Sequence, residues 1–80
     1  MKLPRAIGGV ALANVLARYG YQITRQTGSH LRLTTQQGGE HHLTIPAHDA
    51  LRVGTLSAIL GEVAQHLNRD KSDLIQELWG

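Results

Sequence analysis

Cysteine and phenylalanine are both missing from this chain of 80 residues, whose aromatic set is two tyrosines and one tryptophan. Without cysteine, neither a disulfide framework nor a thiolate metal site can reinforce the fold. So few rings exclude the stacking platform that single-strand binders assemble from several exposed aromatics. Long apolar runs are missing too. Nothing approaches the run of about 20 apolar residues that a membrane span needs. The stretch Ile7–Leu16 is short, is broken by Gly8, Gly9 and Asn14, and lacks the cleavage pattern of a secretory signal. The expectation is a cytoplasmic protein with no membrane partner.

Acidic residues are also scarce where chemistry would need them. Before residue 61 the only carboxylates are Glu40 and Asp49, whereas two-metal nuclease chemistry wants several acidic ligands converging on one site. Gly38-Gly39 reads as a hairpin turn and does not precede a helix, so no phosphate-cradling loop is present. Adjacent His41 and His42 diverge if they lie on a strand, so they do not chelate one ion together. No metal site and no cofactor are expected.

What the chain does have is positive charge in its first three quarters. Lys2, Arg5, Arg18, Arg25, Arg32 and Arg52 stand against Glu40 and Asp49, giving +4 for residues 1–60. Residues 61–80 hold Arg69 and Lys71 against Glu62, Asp70, Asp73 and Glu77, giving −2. Four of the five histidines fall in the basic part. A basic body suits a polyanionic partner such as nucleic acid, though a merely solvated surface gives the same count.

The length allows one domain, residues 1–80. Val10, Leu12, Val15, Leu16 and Tyr19 recur at helical spacing, predicting a helix over about residues 8–19 with Gly20 as a left-handed cap. Tyr21–Thr27 reads as a strand ending at the Gly28-Ser29 turn. His30-Leu31-Arg32-Leu33-Thr34 alternates strictly, so Leu31 and Leu33 share one face while His30, Arg32 and Thr34 share the other. Gln37-Gly38-Gly39 turns the chain into a third strand, His41–Ile45, with Leu43 and Ile45 inward and His42 and Thr44 outward. Pro46 ends it. Thr55 is expected to cap a helix from Leu56 to about Leu67, with Leu56, Ile59, Leu60, Val63 and Leu67 as its apolar stripe. Asp70 should cap a last helix containing Leu74, Ile75 and Leu78, for which Trp79 reads as a core or dimer anchor. The predicted class is α+β: a three-stranded antiparallel sheet, order α-β-β-β-α-α, with helices on one face and the other face open.

That open face presents His30, Arg32, His42 and Thr44. An RNA phosphodiester brings its own nucleophile, the 2′-hydroxyl. A protein cleaves it by removing that proton, protonating the leaving 5′-oxygen and neutralising the phosphorane. Imidazole suits the proton transfers and guanidinium the charge. His30, Arg32 and His42 on the adjacent strand could supply these roles. A solvent-facing structural histidine fits the same spacing. Ser29 and His30, as neighbours on a strand, should point to opposite faces, which disfavours a Ser-His hydrolase pair.

Four segments in order also resemble the HicA family of bacterial mRNA-interferase toxins: Leu16-Ala17-Arg18-Tyr19-Gly20-Tyr21, Gly28-Ser29-His30, Leu43-Thr44-Ile45-Pro46-Ala47-His48, and Gly54-Thr55-Leu56 with Ile59-Leu60. The resemblance covers roughly residues 10–60. It implies a fold like a double-stranded-RNA-binding domain and metal-independent endoribonuclease cleavage of mRNA, with His30 as the catalytic histidine. It also implies a HicB-like antitoxin that covers the active face. Gly28, Ser29, Arg25, Arg32 and His42 are the expected RNA-binding residues. Two other readings stand beside it: a non-catalytic RNA-binding module on the same scaffold, and a protein-interaction domain indifferent to RNA.

Overall fold

A computed structural model describes residues 3–80, so Lys2 of the basic body lies outside the described part. The architecture is α+β, with a helix, three antiparallel strands and two further helices in chain order. The described residues divide into two compact units, residues 6–51 and residues 52–80 together with residues 3–5.

In the first unit, α1 (Gly9–Leu16) continues into a 3-10 turn, Ala17–Tyr19, closed by Gly20 in the left-handed region. Its buried positions are Gly9, Leu12, Ala13 and Leu16, followed by Tyr19. Val10, expected on this face, is instead 52% exposed. Position 10 lies two residues from Leu12, about 200° around the helix, so the two cannot share a side. The strands are β1 (Gln22–Thr27), β2 (His30–Thr35) and β3 (His41–Pro46), in spatial order β1-β2-β3. Leu31, Leu33, Leu43 and Ile45 are each at most 2% exposed, while every residue of β1 is exposed. Burial of each such leucine or isoleucine is worth roughly 1.5–3 kcal/mol, and these four set which way the sheet faces.

α1 contacts all three strands, and the approach is close at its first residue. The Gly9 amide donates to the His48 carbonyl at 2.9 Å, and a Cβ at Gly9 would overlap the Pro46 carbonyl. The Leu51 amide donates to the Ile7 carbonyl at 2.8 Å, so the segment after β3 is tied to the segment before α1. Thr35 is the buried polar residue of this unit. Its hydroxyl donates to the Tyr19 carbonyl at 2.8 Å and accepts from the Gln37 amide at 3.0 Å.

The second unit is a helical hairpin of α2 (Val53–His66) and α3 (Lys71–Trp79). α2 begins earlier than expected. Its N-cap is Arg52, with no side-chain capping bond, and Thr55 lies inside the first turn. Leu56, Ile59, Leu60, Val63 and Ala64 are its buried stripe, while Leu67 is half-buried beyond the last turn. α2 ends in a Schellman motif: Asn68 takes φ 56°, the Asn68 amide donates to the Gln65 carbonyl and the Arg69 amide to that of Ala64. Asp70 caps α3 as expected, accepting from the Ser72 and Asp73 amides. Leu74 and Ile75 are buried; Leu78 and Trp79 are half-buried. Lys71 Nζ donates to Ser57 Oγ across the hairpin.

Candidate functional site

The β1–β2 connection is a two-residue turn, Gly28-Ser29, with Thr27 paired to His30. Gly28 has φ 52°, while Ser29 keeps negative φ. Positive φ at the first central position is what this hairpin class demands, and glycine meets it without a Cβ penalty. The Ser29 carbonyl accepts from the Ala47 amide at 2.7 Å, so the turn is also tied to the end of β3. His30 follows as the first residue of β2, exposed, with Thr27 opposite on one neighbour and Pro46 on the other. The backbone under the imidazole is thus held from both sides.

Ser29 departs from expectation. It sits in the turn and not on the strand, so strand alternation does not apply, and its hydroxyl lies 3.5 Å from His30 Nδ1. That spacing is at the outer limit of a hydrogen bond. The two side chains are neighbours and do not diverge.

β1 contains an irregularity that re-aims its second half. Ile23 pairs with Leu33 but Arg25 pairs with Arg32, leaving Thr24 as an extra residue. A bulge of this kind shifts the alternation by one. Arg25 and Thr27 thereby join Gln22 in the rows of Arg32, His30 and Thr34. The Thr24 hydroxyl fills the gap, donating to the Arg32 carbonyl at 3.3 Å and lying 3.0 Å from the Thr34 hydroxyl. Arg25 and Arg32 consequently face each other directly, with Thr44 completing the row on β3. Like charges so placed repel. Among the described residues neither guanidinium has a carboxylate within salt-bridge distance. Arg32 is two residues from His30 on one strand and one face, about 6.6 Å along it.

His42 does not join His30. The hairpin between β2 and β3 pairs Thr35 with His41 and Thr34 with His42, whereas His30 lies opposite Pro46. Four residues of β2, about 13 Å, therefore separate the two histidine rows. The expected pairing of His30 with His42 across the ladder is corrected by this register. Both His42 ring nitrogens are engaged. Nδ1 lies 2.8 Å from the Thr34 hydroxyl and Nε2 lies 2.8 Å from Glu40 Oε2. The hydrogen bond from His42, then that from Gln36, then the His42 charge hold the Glu40 carboxyl below its ordinary value, with Arg32 adding to the effect. His41 points elsewhere: it pairs with buried Thr35, and its Nδ1 lies 2.8 Å from the Tyr21 hydroxyl. Among the described residues no three histidine or carboxylate side chains converge as a metal cluster, and no helix is long and apolar enough to cross a membrane.

Sequence reasoning therefore placed His30 and Arg32 together on an exposed strand face, as the structure has them. It missed the Thr24 bulge, for which β1 carries no signature, and the Thr24–Thr34–His42–Glu40 chain that depends on it.

A family model described as the HicA toxin of bacterial toxin-antitoxin systems matches residues 11–65. No curated protein and no solved structure matches the chain.

Proposed function

The chain belongs to the HicA toxin family, and from that premise we propose that it is a metal-independent endoribonuclease that cleaves mRNA at His30. Membership implies a cognate antitoxin. We take that antitoxin to be a HicB-like protein seated over the face that carries His30, and the cytoplasm, where mRNA is available, to be the working compartment.

The observation that supports the reading best is one exposed imidazole sharing a strand face with two opposed arginines that have, among the described residues, no carboxylate within salt-bridge distance. Two guanidiniums facing each other are relieved by an anion between or above them, and a phosphodiester is such an anion. With the phosphate there, its adjacent ribose 2′-hydroxyl comes within reach of His30. The imidazole takes the 2′ proton, the 2′-oxygen attacks phosphorus, and the bond from phosphorus to the 5′-oxygen breaks. The products are a 2′,3′-cyclic phosphate and a 5′-hydroxyl end. Because His42 is about 13 Å away, the same His30 returns the proton to the 5′-oxygen. Arg25 and Arg32 stabilise the extra negative charge of the phosphorane, the usual work of fixed donors at a developing anion. Gly28 and Ser29 hold the imidazole at the strand start, and the Ser29 hydroxyl lies close enough to orient the ring.

Expression without an antitoxin tests the proposal. The wild-type chain should arrest growth, and His30→Ala should relieve the arrest while the purified variant keeps the circular-dichroism spectrum of the folded protein. A module that only binds RNA would keep its RNA affinity in that variant and show no cleavage in either form.

A further inference from the structure

The functional reading above leaves His42, Glu40 and the threonines of β1 and β2 without a task, although they form a connected polar network on the sheet. Thr24, Thr34, His42 and Glu40 are linked in series at 3.0, 2.8 and 2.8 Å. Beside this network lies a cleft of about 370 Å³ lined by Gly20, Gln22, Thr24, Thr34, Thr35, Gln36 and Gln37. It sits at the end of β2 away from His30, and Thr34 is four residues along the strand from that histidine.

The lining restricts what can enter. Among the described residues no cation lines the cleft, and His42 beside it is bonded to Glu40, so a phosphate would find no neutralising charge in the wall. No aromatic ring lines it, so stacking cannot be the main attraction. What remains is uncharged hydrogen bonding from amides and hydroxyls, in a volume within the range of sites that take small organic groups, about 300–1,000 Å³. Thr34 is oriented by His42, Thr35 is committed to the Tyr19 carbonyl and the Gln37 amide, and Gln36 bonds Glu40. Gln22, opposite Thr34 on the outward row, makes no side-chain hydrogen bond among the described residues. Thr34, Thr35 and Gln36 are held in place, and the Gln22 carboxamide, a donor beside an acceptor, is unspent.

We propose that this cleft binds an unpaired adenine of the RNA strand, with the Gln22 carboxamide reading its N6 and N7 edge and the His42-anchored Thr34 hydroxyl forming the wall. This rests on the nuclease reading for its substrate class and adds the base it selects. On the N7 edge a glutamine carboxamide matches adenine as donor and acceptor together, whereas guanine presents two acceptors there and a pyrimidine presents only one polar group. Splayed bases of single-stranded RNA offer these edges to a protein. A strand running along β2 with its scissile phosphate at His30 would lay a nearby base, and not the base at the cleaved bond, over the cleft. His42 thus acts as a positioning residue for recognition, remote from the bond that breaks.

The test uses the full chain carrying His30→Ala, so that RNA survives, and measures fluorescence anisotropy at fixed salt with two probes. One is a heptauridine strand; the other has its central uridine replaced by adenosine. The adenosine strand should bind about tenfold more tightly, and adding Gln22→Met, isosteric but without donor or acceptor, should erase the difference while heptauridine binding is unchanged. Equal affinity for the two strands overturns the proposal, as does a preference that survives Gln22→Met. Cleavage is scored separately with wild-type protein. Adenine preference without cleavage keeps the cleft and removes the nuclease reading, whereas cleavage without preference does the reverse.

Discussion

At the scale of single residues, position decides what each ionisable group can do. His30 is exposed at a strand start and packs under nothing, so its loss should cost chemistry and not stability. His30→Ala is expected to lower the cleavage rate by about 10²–10⁴, the usual contribution of a proton-transferring side chain, with an unchanged urea midpoint. Arg25 and Arg32 act through phosphate. Each single alanine variant should weaken RNA binding alike across sequences and reduce the magnitude of the slope of log K against log salt by about 0.7, the single-strand value per phosphate contact. An unchanged slope would remove that arginine from the interface. Buried Thr35 makes the opposite prediction. Thr35→Val leaves the Tyr19 carbonyl and the Gln37 amide without their hydroxyl partner and should cost about 1–3 kcal/mol of stability by urea unfolding.

At the scale of elements, close approach and capping set the limits. Gly9 admits no Cβ because the Pro46 carbonyl occupies its place, so Gly9→Ala must push α1 off the end of β3 and should lower the thermal midpoint more than an alanine at exposed Asn14. The Asp70 cap gives a pH dependence. Its carboxylate is held below its ordinary value by the Ser72 hydroxyl first, then by the Ser72 and Asp73 amides. A group depressed in the folded state stabilises fully above its unfolded pKa and loses that contribution as pH falls through the folded value. Thermal midpoints recorded down through the carboxylate range should therefore fall less steeply in Asp70→Ala than in the wild type. Much of this level was legible beforehand. The alternation of His30, Arg32 and Thr34 with Leu31 and Leu33 identified the open face, and Asp70 announced its helix. The His42 register could also be counted, because residues equidistant from the Gln36–Glu40 hairpin must pair and Thr34 is His42's partner. The bulge could not be read. One extra residue in an all-exposed strand leaves no burial period to disturb, yet it is what brings Arg25 opposite Arg32. Thr55 misled because a good capping side chain was present while the chain was already helical from Val53.

At the scale of the whole molecule, the claim is that an HicA-family chain of 80 residues concentrates its chemistry on one strand face. The excess positive charge of residues 1–60 gives RNA encounter a long-range component, screened as salt rises. Coexpression of the cognate antitoxin should restore growth. The most direct measurement incubates purified wild-type chain and His30→Ala with single-stranded RNA in the presence of a metal chelator and follows the 5′-hydroxyl fragments. The account predicts fragments ending in 2′,3′-cyclic phosphate from the wild type and at least about a hundredfold fewer per unit time from the variant. Equal fragment yield from the two proteins, or none from the wild type, would contradict it.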